Sequence, residues 1–222
     1  MSRENKHGTQ PPKQKSERFY RTCYKIFAGP IRFIWRVKVI GRENEPTEGP
    51  FLVCANHQSN MDPVLVCASF RKNPVGFMAK SELFFWPLGP LIRALGAYPV
   101  NRGSSADVGA IRTSLDLLEE GRCVGIFPQG RRFAGVDPKT TPVKGGAGMI
   151  CSRASVPVVP VYLRRKNCKS AFLRKTEIVI GKPIPVEELA FDPEASGEYL
   201  RLSGLIFDHI CALENVHDRP RS

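Results

Sequence analysis

Short apolar runs of four to seven residues recur along this chain, and between them lie segments whose apolar residues return every three to four positions. Strand-type runs fall at 36–41 (RVKVIG), 51–55 (FLVCA), 75–79 (VGFMA), 97–100 (AYPV), 123–127 (CVGIF), 157–163 (PVVPVYL) and 176–182 (TEIVIGK). Helical patterns occupy 62–71, 83–95, 106–120, 146–154 and 196–213. The helix over 106–120 starts after Ser104-Ser105 and stops at Gly121, a residue pair and a glycine suited to capping. Strands alternating with helices predict an α/β layer fold with a mainly parallel, mixed sheet flanked by helices. The chain's 222 residues suit one such domain with a short appendage.

The appendage is at the N-terminus and carries most of the charge. The formal net charge is +12, but residues 1–42 hold eleven Lys and Arg against Glu4 and Glu17, a net of +9. The remaining 180 residues carry only +3. Residues 1–16 are polar, contain Pro11-Pro12, and read as a disordered basic tail. Over 17–35 the pattern becomes helical. Arg18, Arg21, Lys25, Arg32 and Arg36 share one face, while Phe19, Tyr20, Phe27 and Ile31 spread over the other. Pro30 is expected to kink this helix or divide it in two. A basic face against an aromatic-rich apolar face fits an interfacial helix on an anionic membrane. Packing on its own domain is the alternative. The main domain is then expected over 36–215, with 216–222 as a tail.

Other classes fit less well. The first 18 residues contain no apolar core of a secretory signal, and no apolar stretch approaches the roughly 20 residues of a spanning helix. Cys23, Cys54, Cys67, Cys123, Cys151, Cys168 and Cys211 are odd in number and scattered without a CxxC pair, so reduced thiols are expected and zinc is not. A basic nucleic-acid-binding protein is permitted by charge, but no binding motif appears.

Four stretches carry polar residues at strand ends. Asn56-His57-Gln58-Ser59-Asn60-Met61-Asp62 follows one apolar run and precedes a helix. A His with Asp five residues on can form an imidazole–carboxylate pair across a turn, a general base without its own nucleophile. The other reading is Asp62 as a helix cap with His57 in a loop. Gly96–Arg102 is a short strand ending in an arginine that can take a phosphate or simply face solvent. Val124–Arg132 runs through Phe127-Pro128-Gln129-Gly130 into Arg131 and Arg132; Gly130 permits a tight turn. Val156-Pro157-Val158-Val159-Pro160-Val161 is a proline-punctuated strand suited to an edge or a pocket wall.

Taken in this order, the four blocks resemble the glycerolipid acyltransferase family typified by 1-acylglycerol-3-phosphate acyltransferase. That family shows His-x4-Asp, then a strand ending in Arg, then Phe-Pro-Glu-Gly-Thr-Arg, then a Val-Pro-rich block. Lys80-Ser81-Glu82-Leu83 also looks like the family, and the resemblance covers about residues 36–185. It implies a glycerol-3-phosphate acyltransferase-like fold. It implies His57 as general base and Asp62 as its orienting partner. It further implies that Asn56, Lys80, Arg102, Gln129, Gly130, Arg131, Arg132 and Pro157 serve the substrates, with Arg102 on the acceptor phosphate. The implied reaction moves an acyl group from acyl-CoA or acyl-carrier protein to a lysophospholipid hydroxyl, on the cytoplasmic face of the membrane, without metal or cofactor and without nucleic acid. Backbone N–H groups of the Asn56–Asn60 turn are candidate oxyanion donors. The third block departs from the family: Gln129 stands for Glu and Arg131 for Thr. A lipid-binding relative without turnover is the rival this departure raises.

Overall fold

The computed structural model describes residues 17–85, 89, 92, 97–100, 106–171 and 173–217. Seven strands form one sheet: β1 Val37–Ile40, β2 Leu52–Ala55, β3 Val75–Lys80, β4 Tyr98–Val100, β5 Cys123–Ile126, β6 Val158–Arg165 and β7 Thr176–Ile180. Their order is β1-β7-β6-β2-β5-β3-β4. All neighbours run parallel except β6 and β7, which pair antiparallel from Val161↔Ile180 to Arg165↔Thr176. Each strand-type run in the sequence is a strand of this sheet.

Strand alternation builds two cores. Leu52 and Cys54 of β2 face one side with Val158 and Tyr162 of β6, while Val53 and Ala55 face the other with Val159, Val161 and Leu163. The first side is covered by helices α3 Ala106–Glu119, α4 Gly146–Ala154 and α5 Glu198–Ala212, through Leu117, Ile150, Leu202 and Ile206. The second is covered by α1 Glu17–Ile34 and α2 Asp62–Cys67, through Ile31, Leu65 and Val66. Such two-sided cover is what a parallel sheet with continuous apolar strands requires.

Two expectations are modified. The proline-punctuated strand β6 is not an edge but lies between β2 and β7. Pro160 lacks a donor, yet its carbonyl still accepts the Gly181 N–H at 2.8 Å, so the strand keeps its place. The helix expected over 62–71 ends at Cys67, where the Ser69 hydroxyl turns back to the Leu65 carbonyl at 2.7 Å. The helix expected over 83–95 lies largely outside the described residues.

Helix α1 runs through Pro30 as one helix and is not divided there. Pro30 stands one turn from the helix end, so the bond it removes is among the last the helix makes. The helix docks on the domain: Ala28 is buried, Ile31 and Trp35 pack against the core, and the Tyr24 hydroxyl donates to the Ala68 carbonyl at 3.1 Å. Its other side leaves Phe33 80% exposed and Ile26 57% exposed. No described helix is long and apolar enough to cross a membrane.

Candidate active site

The carboxyl ends of β2 and β5 lie side by side in the sheet, in the register Cys54↔Ile126. In parallel α/β sheets that edge is where ligands gather. His57 follows β2 and Phe127 follows β5, and their rings stack at 3.9 Å with planes 10° apart. Phe127 in turn stacks on Phe77 of β3 at 5.0 Å. The imidazole is thus held from one face by an aromatic column rising from the sheet.

Asp62 fixes its edge. The Nδ1 of His57 lies 2.9 Å from Asp62 Oδ2. The same oxygen accepts the backbone N–H groups of Gln58 at 2.6 Å and Ser59 at 2.7 Å. Asp62 opens α2, with Pro63 next, as suits a helix start. Its carboxylate reaches back into the preceding turn, so helix start and His partner are one residue. Burial by itself would push the Asp62 carboxyl up. The hydrogen bond from His57, the charge of Arg165 and the Ser59 N–H outweigh it, and the group is held below the ordinary carboxylate range. An ionised carboxylate on Nδ1 places the ring proton there and leaves the Nε2 lone pair for chemistry.

The third block clamps this turn from the other side. The His57 N–H donates to Gln129 Oε1 at 2.6 Å, and the His57 carbonyl accepts the Phe133 N–H at 2.9 Å. The N–H groups of His57, Gln58 and Ser59 are therefore all engaged within the protein, and the expectation that these three would serve an oxyanion is not met. Gly130, at φ 66°, makes the turn; an added Cβ would come within 2.7 Å of Lys144 Cδ, whose side chain lies across it.

Beside the pair opens an apolar pocket of ≈ 120 Å³. Tyr24, Phe27 and Ile31 of α1 form one wall, and Pro63, Val64 and Phe77 form another. Its boundary includes Asn60, from the turn between His57 and Asp62, and Pro63, which follows Asp62.

Residues 36–164 match the family model described as Acyltransferase, which is more than half of the chain. The chain belongs to the acyltransferase family.

Among curated relatives, the acyltransferase is 31% identical over 204 residues to a 1-acyl-sn-glycerol-3-phosphate acyltransferase of Bacillus subtilis, covering 88% of this chain and 99% of the relative. It is 30% identical over 151 residues to that of Borreliella burgdorferi, covering 66% of this chain and 58% of the relative. A crystal structure of the 1-acyl-sn-glycerophosphate acyltransferase PlsC from Thermotoga maritima superposes with a TM-score of 0.63 at 23% identity, covering 91% of this chain and 81% of that one, which establishes a shared fold. The protein is an O-acyltransferase of the type typified by these enzymes.

The remaining expected site residues separate into groups. Asn56 is fully buried: Leu163 N–H donates to its Oδ1 at 2.7 Å and its Nδ2 donates to the Leu163 carbonyl at 3.2 Å. Its side chain ties β2 to β6. Gln129 is likewise buried, with its Nε2 donating to Thr141 Oγ1 at 2.6 Å. Pro157 precedes β6, and its carbonyl accepts the Leu52 N–H at the opposite end of β2 from His57; it is a strand-entry residue, away from the pair. Lys80 ends β3 at the same sheet edge as His57. Arg131 and Arg132 are exposed beyond Gly130, and the Arg131 guanidinium lies 4.6 Å from the centre of the Phe133 ring. Arg102 lies outside the described residues.

Sequence reasoning missed Arg165, buried behind Asp62 with Nη1 2.7 Å from Oδ1. In sequence it is one of three cations in Arg164-Arg165-Lys166 and reads as a solvated run. The signal was alternation: Arg165 continues the inward series Val159, Val161, Leu163 of β6.

Proposed function

We propose that this acyltransferase moves a fatty acyl group from acyl-CoA or acyl-carrier protein to the free hydroxyl of 1-acyl-sn-glycerol 3-phosphate, giving phosphatidic acid for phospholipid synthesis at the cytoplasmic face of a membrane. The observation that carries the reading is the His57–Asp62 pair at 2.9 Å at the carboxyl edge of the sheet, and the names of the relatives support the acceptor.

His57 Nε2 takes the proton of the acceptor hydroxyl as that oxygen attacks the thioester carbonyl. A tetrahedral oxyanion forms. Its collapse breaks the C–S bond, and the thiolate leaves with the proton carried by His57. The products are ester and free thiol, with no covalent enzyme intermediate. Asp62 holds the Nδ1–H tautomer and stabilises the transient imidazolium. The apolar pocket receives the acyl chain next to its carbonyl. Lys80, Arg102, Arg131 and Arg132 supply cations toward the acceptor phosphate. Residues 17–35 lay the exposed Ile26 and Phe33 into the lipid surface where the acceptor resides.

The test is turnover by the full chain on mixed vesicles, with labelled acyl-CoA or acyl-carrier protein as donor. Acceptors would be 1-acyl-sn-glycerol 3-phosphate, its choline and ethanolamine counterparts, and glycerol 3-phosphate. Phosphatidic acid as the preferred product supports the reading. Preference for an acceptor without a terminal phosphate overturns it.

A further inference from the structure

The catalytic pair has a third member that the proposed reaction does not mention. Arg165 ends β6, and its side chain is 1% exposed. Its Nη1 lies 2.7 Å from Asp62 Oδ1 and 3.4 Å from Gln58 Oε1, while Nε donates to Thr176 Oγ1 at 3.2 Å. The carboxylate is divided between two tasks: Oδ2 faces His57 and the turn N–H groups, and Oδ1 faces the guanidinium. Ion pairs this deeply buried are weak evidence for stability, since apolar residues of like volume often serve as well. The position of the pair suggests another use.

We propose that Arg165 is a positioning residue for acyl transfer, acting through Asp62 to aim the His57 imidazole. The proposal deepens the reading of His57 as base and rests on it. The charge of Arg165 helps keep the Asp62 carboxyl ionised against its burial, and the ionised carboxylate is what holds the ring proton of His57 on Nδ1. The guanidinium also fixes the carboxylate plane. Arg165 is anchored on Thr176 at the other end of its fork, so Oδ2 cannot swing away from Nδ1 without breaking a second contact.

The charged and titratable groups around Asp62 are few among the described residues. The preceding turn presents His57, and β6 presents Arg165. Arg164, next to it, faces the other way and pairs with Glu177 of β7 at 3.0 Å. The segment after β6 brings Cys168, near Gln58 and Arg165, whose thiol is pushed up by burial and therefore neutral. No second anion competes for the guanidinium among these groups.

The experiment is a double-mutant cycle on the full chain, reading kcat and acceptor KM with acyl-CoA and 1-acyl-sn-glycerol 3-phosphate, and thermal unfolding on the same samples. The variants are Arg165→Gln and Arg165→Lys, each in wild-type and Asp62→Asn backgrounds. Arg165→Gln should lower kcat about 10–100-fold, as loss of orienting partners does, with acceptor KM within about twofold. Arg165→Lys, which keeps the charge, should recover most of that loss. In the Asp62→Asn background, Arg165→Gln should cost less than about twofold more, because the residue it acts through is already neutral. Equal losses in both backgrounds, a Lys variant no better than Gln, or a loss confined to KM overturns the proposal. If Arg165→Gln does not fold, Arg165→Lys in the two backgrounds is judged by the same additivity criterion. His57→Ala run alongside separates the two ideas. Turnover surviving in His57→Ala rejects the base reading itself. Turnover lost there, with additive Arg165 effects, rejects only the role of Arg165.

Discussion

Gln129 and His57 are joined through the backbone: Gln129 Oε1 accepts the His57 N–H at 2.6 Å. Because that donor fixes the amide's orientation, Nε2 must face Thr141, and it donates to Oγ1 at 2.6 Å. The Thr141 hydroxyl meanwhile donates to the Pro138 carbonyl at 2.7 Å. Every bond in this chain has a fixed direction, from Gln129 to Thr141 to Pro138.

A glutamate at position 129 reverses one of these directions. Its carboxylate still accepts from His57 but has no proton for Thr141, whose hydroxyl must leave Pro138 or face a buried anion. Gln129→Glu should therefore destabilise the fold by about 1–3 kcal/mol and lower kcat, with the rank order of acceptors unchanged. Thermal unfolding and kcat/KM over a panel of acceptors differing in charge check this. A changed acceptor rank order with unchanged stability would place the residue 129 side chain against substrate instead.

Gly125 of β5 sits opposite Phe77 in the register, and an added Cβ would overlap the Phe77 ring. That ring supports Phe127, which supports His57. Gly125→Ala should cost about 1–3 kcal/mol of stability through overpacking. It should also reduce kcat, although no polar group changes. A variant with lowered stability and wild-type kcat would show that the aromatic column does not position the imidazole.

On α1, Ile26 and Phe33 are exposed while Ala28, Ile31 and Trp35 hold the helix to the domain. Ile26→Glu with Phe33→Glu should leave the fold intact and release the protein from vesicles containing anionic lipid. Each nearby Lys or Arg contributes on the order of 1 kcal/mol to such binding, falling with salt. Vesicle flotation at low and high salt is the measurement. Equal flotation of variant and wild type would exclude this face as the contact.

Asp62 has its carboxyl held below the ordinary range. A depressed carboxylate adds stability that is fully present above its unfolded pKa, about 3.9, and is lost as pH falls through the folded value. Wild-type protein should accordingly lose stability below about pH 4 more steeply than Asp62→Asn. The variant should start less stable at neutral pH, where a buried Arg165 is left without its anion. Denaturant unfolding from pH 6 to pH 3 reads both slopes, and parallel curves would show that Asp62 is not ionised in the fold.

Local pattern made much of this molecule readable. All seven strands were visible because each is a short apolar run ended by Gly, Pro or a polar residue, and His57 with Asp62 was visible because both ends of the pair lie in one turn. What was hidden depends on partners far along the chain. Asn56 meets Leu163 and Arg165 meets Asp62 only once β2 and β6 are neighbours. Gln129 is a strut only because the loop after β5 folds over the turn after β2. The antiparallel β6–β7 pair moved the Val-Pro strand into the sheet interior, which proline content alone argues against. The Gly96–Arg102 block falls partly outside the described residues, so Arg102 stands on sequence alone.

The central claim is that the His57 imidazole, oriented by Asp62, takes the proton of the acceptor hydroxyl. Single-turnover acyl transfer by full-length His57→Ala, with wild-type unfolding behaviour confirmed on the same sample, tests it most directly. Loss of a general base costs about 10²–10⁴ in rate, so the account predicts a folded protein that binds acceptor and forms product at least about 100-fold more slowly. A folded His57→Ala protein that forms product at the wild-type rate would contradict it.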